Sequence, residues 1–206
     1  ELLIGVTNFF RDPAAWEQMR DHAIPTLLAN QSTGQALRAW VPGCSTGEEA
    51  YSLAIVFKEA VEKAKLKGNF ALQIFATDLD KDGVDKARQG IFPCNIAADV
   101  SGERLSRFFT EEEGGFRVRK EIREMVIFAP QNLIMDPPFT KLDILTCRNL
   151  LIYLEPQAQQ RVFEVFHFAL NPKRYLFLGR SESTDPDSSR FQEVSRAWRI
   201  YQRSPT

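Results

Sequence analysis

The chain alternates between short apolar runs and amphipathic segments along most of its length. Apolar runs at 36–41, 70–80 and 142–149 are each followed by turn or polar residues, as is typical of buried strands. Between them, apolar residues recur every three or four positions in the segments 48–65 and 82–89, which predicts helices. This alternation predicts a parallel sheet that is covered by helices.

Capping and turn residues predict further elements. Asp12, followed by proline, is a helix start, and Pro25 is expected to kink or restart that helix. A helix from 156 to about 170 should stop at the Asn-Pro pair 171–172. Two more strands are predicted by the strings RYLFLG and WRIYQR.

Residues 91–131 interrupt the regular alternation of strands and helices. Here Phe116 and Val118 alternate with Arg117 and Arg119, which predicts an antiparallel strand with one solvated face. We therefore expect a small β insertion over 91–131, within a single domain that covers the whole chain.

Composition excludes several classes of protein. The chain has 206 residues, of which 44% are hydrophobic, and a formal net charge of -1, which predicts no binding to nucleic acid or to an anionic membrane. Its three cysteines are widely spaced without a CxxC pair, which argues against a disulfide framework and a zinc site. No apolar run has the length of a membrane span and no signal peptide is visible, so we expect a cytoplasmic protein without direct membrane insertion or a metal.

The segment WVPGCSTGEEAYSLA, residues 40–54, joins the first strand to its helix. Gly43 and Gly47 lack a Cβ, so the loop backbone can approach a ligand at the carboxyl end of the sheet. Glu48 and Glu49 would repel a pyrophosphate at this helix start, but they could accept hydrogen bonds from a cationic or neutral ligand. The alternative is that both glutamates only interact favourably with the helix dipole.

Two acids end the second strand. Asp78 and Asp80 stand where an acid can bind the two ribose hydroxyls of a nucleotide. Gly43 precedes Asp78 by 35 positions, whereas the dinucleotide fingerprint has a spacing of roughly 20. A nucleoside without pyrophosphate, such as S-adenosylmethionine, therefore fits better than a dinucleotide.

Two further segments are candidates for chemistry. The string DPPF at 136–139 resembles a motif of amino-directed methyltransferases, but it precedes its strand, so we interpret it as a rigid surface turn. In CRNLLIY, residues 147–153, Arg148 and Asn149 would project into the ligand crevice, with Tyr153 one turn later. The alternative for these three is an arginine salt bridge, an asparagine turn and a half-buried tyrosine.

Six segments together resemble the chemotaxis receptor methyltransferase family (CheR). They occur in the family's order across nearly the whole of 1–206: TNFFRD (7–12), GCSTGEEAYSLA (43–54), ATDLD (76–80), NL (132–133), DILTCRNLLIYL (143–154) and LFLGRSES (176–183). The resemblance implies a Rossmann-like class I SAM-dependent methyltransferase, an α/β fold with a mostly parallel seven-stranded sheet. Helices would cover both faces, with the small antiparallel β insertion added.

The resemblance also implies an activity and a site. The activity is methyl transfer from S-adenosylmethionine to glutamate carboxylates on the cytoplasmic helices of chemoreceptors or a related signalling protein, which leaves S-adenosylhomocysteine. Arg11, Arg148 and Tyr153 would lie nearest the reacting methyl group. The family's cofactor positions, together with the loop glycine, correspond to Thr7, Arg11, Gly43, Glu48 or Glu49, Asp78, Asn132, Leu133, Arg148 and Asn149.

The residue inventory agrees with that chemistry. A glutamate carboxylate is ionised at pH 7, so the acceptor needs no general base. Catalysis would then consist of aligning the acceptor oxygen with the methyl group and excluding water. The two histidines, His22 and His167, lie on predicted helices outside every motif.

Several features differ from the usual family pattern. We expect the family's N-terminal helical domain to be absent, and Gly5 replaces a frequent asparagine. The basic residues of the insertion, with its short TEEEGGF loop, are expected to form a solvated face rather than bind a receptor tether. ELLIGVTNFFRDP and WVPGCSTGEEAYS look especially like the version of this domain found in large fusion proteins. We therefore expect a domain of a longer protein that acts at receptor clusters.

Two other functions remain open from the sequence. One is a catalytically silent module that binds S-adenosylmethionine as a sensor within a larger signalling protein. The other is a nicotinamide-dependent oxidoreductase, which is disfavoured by the acidic pair at 48–49 and the lack of a GxGxxG pattern.

Overall fold

The computed structural model describes residues 7–31, 34–65, 68–184 and 189–205. Gly5, one of the noted departures from the family pattern, lies outside these ranges. The described residues contain ten strands: β1 (Leu37–Pro42), β2 (Leu72–Asp78), β3 (Ile91–Pro93), β4 (Phe109–Glu112), β5 (Gly115–Val118), β6 (Val126–Pro130), β7 (Leu142–Cys147), β8 (Leu170–Leu178), β9 (Phe191–Ser195) and β10 (Ile200–Arg203).

Seven of these strands form one sheet in the order β6-β2-β1-β7-β8-β10-β9. The first five in this order are parallel, whereas β10 is antiparallel to β8 and β9 is antiparallel to β10. The predicted α/β fold with a mostly parallel seven-stranded sheet is therefore confirmed. All six residues of β7 are buried, as expected for a central parallel strand.

The helices surround this sheet. They are α1 (Pro13–Gln18), α2 (Ile24–Ala29), α3 (Glu48–Ala64), α4 (Lys81–Gln89), α5 (Gly102–Phe108), α6 (Lys120–Arg123) and α7 (Pro156–Ala169), with short 3₁₀ turns at Cys94–Ala98 and Leu151–Tyr153. No helix in the described ranges is long and apolar enough to cross a membrane.

Apolar residues on the two faces of the sheet belong to two clusters. Along β1, Ala39 and Val41 belong to the larger cluster, whereas Trp40 belongs to the other. This alternation follows from the two-residue period of a strand. The larger cluster includes the apolar face of α3, and the other includes Val162 and Phe166 of α7, so helices cover both faces.

The break predicted at Pro25 takes the form of a wider turn. Residues Met19–Ala23 form a π-helical turn between α1 and α2, and Pro25 lies in the first turn of α2. Proline has no backbone N–H and cannot continue the hydrogen-bond ladder of the preceding helix. A π turn is one of the local rearrangements that absorb such a break.

The helix predicted from 156 to about 170 is confirmed, but Asn171 and Pro172 do not separate it from the next strand. α7 ends at Ala169 and β8 begins at the next residue, so both residues lie inside β8. Lys173 has a φ of 60°, and the register between β7 and β8 shifts at this point. The irregularity accommodates a proline that cannot donate to the ladder.

The insertion is smaller than predicted. Strands β3, β5 and β4 form a separate antiparallel sheet, which confirms the antiparallel strand predicted around Phe116. β6, however, pairs with β2 in the main sheet, so the insertion ends before 126 rather than at 131. The alternating burial of β6 suits a strand of either sheet, and only the parallel pairing with β2 decides between them.

Candidate active site

A cleft opens at the carboxyl ends of β1, β2 and β7. It consists of a polar lobe of about 500 Å³ and an apolar lobe of about 390 Å³. The two lobes share a wall formed by Gly43, Asp78, Leu79, Leu150 and Tyr153. A ligand in the cleft therefore lies where parallel α/β sheets usually bind nucleotides.

Almost all of the predicted site residues line this cleft. In addition to Gly43, Asp78 and Tyr153, the polar lobe contains Thr7, Arg11, Glu49, Arg148 and Asn149. Asn132 and Leu133 line the apolar lobe. Among the predicted residues, Gly47 and Glu48 line neither lobe.

The structure distinguishes the two glutamates at the start of α3. Glu48 is 9% exposed, and its Oε2 accepts a hydrogen bond of 2.6 Å from Thr46 Oγ1. Oε1 of Glu49 instead accepts a hydrogen bond of 2.7 Å from Thr146 Oγ1 on β7. Burial raises the pKa of Glu49 to about 7, against the opposing charge of Arg148. Glu49 is therefore the glutamate that can meet a ligand, and Glu48 is a structural residue of the loop.

Asp78 ends β2 with its carboxylate held by two backbone amides. Oδ2 accepts from the Ser45 N–H at 2.8 Å, and Oδ1 accepts from the Asp80 N–H at 2.9 Å. Each carboxylate oxygen can accept a further hydrogen bond, so the pair can bind two neighbouring hydroxyls. Asp80 also lines the polar lobe, and its side chain caps α4 by accepting from the Asp82 N–H.

The two glycines of the first loop both have a positive φ and make room for neighbouring side chains. Gly43 has a φ of 71°, and a Cβ there would lie 2.8 Å from Leu150 Cδ2 in the cleft wall. Gly47 has a φ of 97°, and a Cβ there would lie 3.0 Å from Ala87 Cβ and 3.1 Å from Phe128 Cζ. Gly47 lines neither lobe, and its missing side chain makes room for Ala87 and Phe128, so its predicted approach to a ligand stays a prediction.

Arg148 connects the end of β7 to the first described segment. Its Nη1 donates to the Arg11 carbonyl and its Nη2 to Asp12 Oδ2, both at 2.8 Å. The guanidinium also lies 4.6 Å from the ring centroid of Phe177 and 5.5 Å from that of Trp16. Both terminal nitrogens thus bind the segment that carries Arg11. This arrangement corresponds to the alternative of an arginine salt bridge that the sequence left open.

The loops around the cleft contain strained backbone. Four of the eight non-glycine residues with a positive φ in the described ranges lie there: Phe10 (50°), Asp12 (58°), Ser45 (47°) and Asn149 (61°). Such conformations are unfavourable for residues with a Cβ and persist where surrounding contacts enforce them. The turn formed by Phe10 and Asp12 carries the exposed Arg11 into the polar lobe.

The segment after β6 forms the wall of the apolar lobe. Oδ1 of Asn132 accepts from the N–H groups of Ile134 and Met135, at 3.0 and 3.1 Å, so its side chain closes a turn. This turn places Leu133 and Ile134 against the lobe. The apolar wall suits a flat aromatic base.

The DPPF string is held in place by contacts within the fold. Oδ2 of Asp136 accepts from the Asn132 N–H at 2.7 Å, and Phe139 stacks on Phe75 with ring centroids 4.3 Å apart. These contacts agree with the interpretation as a rigid turn. None of its four residues lines the cleft.

Sequence reasoning missed several residues of the site, three of which are central to it. Leu79 and Leu150 line both lobes, but no pattern distinguishes them from other leucines beside a strand end. Glu182 lies behind the cleft and accepts four backbone hydrogen bonds. Its position inside the segment LFLGRSES was the one signal that the sequence offered.

The fold and the cleft define an α/β methyltransferase domain that binds S-adenosylmethionine. The chain belongs to the CheR family, since residues 5–200 match the family described as "CheR methyltransferase, SAM binding domain".

Several proteins share this sequence pattern. The chain is 44% identical over 203 residues to an "Uncharacterized 104.1 kDa protein in hypE 3'region" of Rhodobacter capsulatus. The aligned region is 98% of this chain and 21% of that protein. It is 32% identical to "Chemotaxis protein methyltransferase 2" of Vibrio cholerae, over 92% of this chain and 66% of that protein. It is 33% identical to the "Chemotaxis protein methyltransferase" of Escherichia coli, over 92% of this chain and 65% of that protein.

Solved structures include more distant likenesses. The DszA carbon methyltransferase has a TM-score of 0.47 at 15% identity, over 82% of this chain and 36% of that one. PKMT2 from Rickettsia typhi, in complex with AdoHcy, has a TM-score of 0.45 at 13% identity, over 80% of this chain and 24% of that one.

The residues of the cleft fit the cofactor S-adenosylmethionine. Asp78 can accept from both ribose hydroxyls, the apolar lobe suits adenine, and Glu49 can accept from the ammonium group of the methionine end. Gly43 lines both lobes, and its missing side chain lets Leu150 pack in the wall between them. The buried Oδ1 of Asn149 has no hydrogen-bond partner among the described residues, so it can accept from a bound ligand.

Proposed function

We propose that this domain transfers a methyl group from S-adenosylmethionine to glutamate carboxylates on the cytoplasmic helices of a chemoreceptor or related signalling protein. The products would be γ-glutamyl methyl esters and S-adenosylhomocysteine. The observation that carries this proposal is the position of Arg11 and Tyr153, which line the same polar lobe as the cofactor-binding acids. Relatives named as chemotaxis protein methyltransferases support the choice of acceptor.

The two side chains suit an anionic acceptor. Arg11 is exposed and Tyr153 is 59% exposed, so an incoming glutamate can reach both. The guanidinium can hold one carboxylate oxygen through a charge-assisted hydrogen bond, and the phenol can donate to the acceptor. Because the acceptor is already ionised at neutral pH, these residues orient it rather than remove a proton.

Other residues would support this arrangement. The bound cofactor supplies a methyl group on a sulfonium centre. Arg148 holds the carbonyl of Arg11 and thereby positions that residue in the lobe. Leu79, Leu150 and Ile134 line the cleft with apolar surface, which disfavours water beside the reacting carboxylate.

The insertion offers little support for a second receptor contact. Its basic side chains already have intramolecular partners. Arg117 and Lys120 pair with glutamates. Arg119 and Arg123 donate to backbone carbonyls. We therefore propose that the receptor meets the domain at the mouth of the cleft, without a tether peptide on the insertion.

The test is a methylation assay with radiolabelled S-adenosylmethionine and purified cytoplasmic fragments of chemoreceptors. We expect label on the receptor that alkali releases as methanol, and no label on fragments whose accepting glutamates are replaced by glutamine. Arg11→Ala should abolish transfer. Normal binding of S-adenosylhomocysteine without base-labile label on any receptor would contradict the proposal and favour a silent cofactor-binding module.

A further inference from the structure

A buried carboxylate joins the ends of β7 and β8. Glu182 is 4% exposed, and its Oε1 accepts from the N–H groups of Leu150 and Leu151 at 2.9 and 2.7 Å. Oε2 accepts from the N–H groups of Asn149 and Gly179 at 2.9 and 2.8 Å. Four short hydrogen bonds to one ionisable group form a charge-assisted cluster.

The backbone packs closely around this carboxylate. A Cβ on Gly179 would lie 2.8 Å from Glu182 Oε2 and 3.0 Å from the Asn149 nitrogen. Asn149 itself has a φ of 61°, a left-handed conformation that has to be held in place. The hydrogen bonds to Glu182 supply that restraint.

The segment held by Glu182 is part of the cofactor cleft. Asn149 and Leu150 line the polar lobe, and the 3₁₀ turn that follows ends at Tyr153 on the rim. Gln159 Nε2 donates to the carbonyls of Leu151 and Leu154, both at 3.0 Å, so the other side of this turn is also held. A displacement of the Glu182 carboxylate would move this wall of the cleft.

We propose that Glu182 is a positioning residue for cofactor binding, because its carboxylate fixes the backbone of residues 149–151 and thereby places the side chains of Asn149, Leu150 and Tyr153. This assignment depends on cofactor binding and is independent of the identity of the methyl acceptor.

The charge of Glu182 has a second effect that a purely structural role would not have. It raises the pKa of Glu49, which must be ionised to accept from a cationic group of the cofactor. The titratable or charged groups that interact with Glu49 come from several elements: Arg11, Arg148, Glu182, Cys44 and Cys147. Removing the charge of Glu182 should therefore shift the pH dependence of cofactor binding to lower pH.

Calorimetric titration with S-adenosylhomocysteine between pH 6 and 8.5 tests this proposal. In Glu182→Gln an amide NH₂ replaces one acceptor oxygen, so we expect about tenfold weaker binding at pH 8, the effect of one lost charge-assisted hydrogen bond. The midpoint of the pH profile should also fall below that of the wild type. The matched control Glu193→Gln, an exposed residue of β9, should change neither quantity.

A second variant separates position from charge. Glu182→Asp keeps the charge but shortens the side chain by one methylene, so affinity should fall while the pH midpoint stays. In ¹⁵N spectra, the amide signals of Asn149, Leu150 and Leu151 should move in both variants.

Three results would overturn the proposal. One is a folded Glu182→Gln domain with wild-type affinity and pH midpoint. Another is a folded Glu182→Asp domain with wild-type affinity. If the glutamine variant does not fold, this aspartate result is the one that tests the proposal. The third is failure of both variants to fold, which would assign Glu182 a role in stability alone. Because no acceptor protein is present, none of these results depends on receptor methylation.

Discussion

Arg148 donates from Nη2 to Oδ2 of Asp12 at 2.8 Å, although 136 positions separate the two residues. The side chain of Arg148 is 2% exposed and that of Asp12 is 22% exposed, so the pair is largely shielded from water. Removing one partner of such a pair leaves a buried charge without compensation. This contact fastens the Thr7–Asp12 segment to the cleft.

Loss of the Asp12 carboxylate should weaken both the fold and the site. We expect Asp12→Ala to lower the free energy of unfolding by about 3 kcal/mol and to reduce affinity for S-adenosylhomocysteine, since the Arg148 guanidinium loses its counter-charge. Asp12→Asn keeps an acceptor and tolerates the left-handed φ, so its effect should be smaller. Urea denaturation and calorimetry measure both quantities, and equal effects of the two variants would count against this account.

Substitutions of the two neighbouring glutamates should have unequal consequences for cofactor binding. Glu49→Gln should weaken S-adenosylhomocysteine binding by more than about tenfold, because a charge-assisted hydrogen bond to the ammonium group is lost. Glu48→Gln should change it less than about twofold, since Glu48 contacts Thr46 and lines neither lobe. Calorimetry at pH 8 provides the comparison, and a larger loss for Glu48→Gln would reverse the assignment.

Glu49 should also make stability depend on pH. Its pKa is raised from 4.5 to about 7 in the fold, so the folded state binds a proton more tightly than the unfolded state. Stability is therefore lost as pH rises through this window and Glu49 ionises. Glu49→Gln should stabilise the ligand-free domain at pH 8, on the order of 2 kcal/mol, with little effect near pH 4.5. Denaturation at both pH values would show this, and a pH-independent difference would contradict it.

Gly47 should be more sensitive to a side chain than another glycine with a similar backbone. Gly34 has a φ of 94° and a Cβ placed on it would meet nothing within 4 Å, whereas Gly47 has a φ of 97° and neighbours at 3.0 and 3.1 Å. Gly34→Ala should cost about 1 kcal/mol for the left-handed conformation alone. Gly47→Ala should cost about 3 kcal/mol because overpacking is added. Equal losses in urea denaturation would refute the packing role of Gly47.

Tyr153 should affect transfer more than cofactor binding. We expect Tyr153→Phe to lower kcat for receptor methylation by about tenfold, because the acceptor loses one hydrogen-bond donor. The ring remains in the wall of the cleft, so the Kd for S-adenosylhomocysteine should stay within about twofold. Unchanged methanol release together with weaker cofactor binding would place the phenol at the cofactor instead of the acceptor.

Local patterns in the sequence were sufficient for most of the fold. The apolar strand at Leu142–Cys147 and the helix at Glu48–Ala64 lie where periodicity predicted them. Such patterns report the burial of one element at a time. They could not reveal that β6 leaves the insertion for the main sheet, because that choice depends on pairing with β2.

The sequence by itself determined the α/β fold and the nucleotide edge of the sheet, since turn chemistry and strand ends are local properties, and its motifs identified many of the residues that line the cleft. Only the tertiary structure decided that Glu49 rather than Glu48 faces the cleft, and that Gly47 serves packing. It also decided that Glu182 holds the wall of the cleft and Arg148 its first segment. Each of these depends on contacts between residues that are distant in the chain or on the direction of a side chain, and neither is encoded in residue spacing.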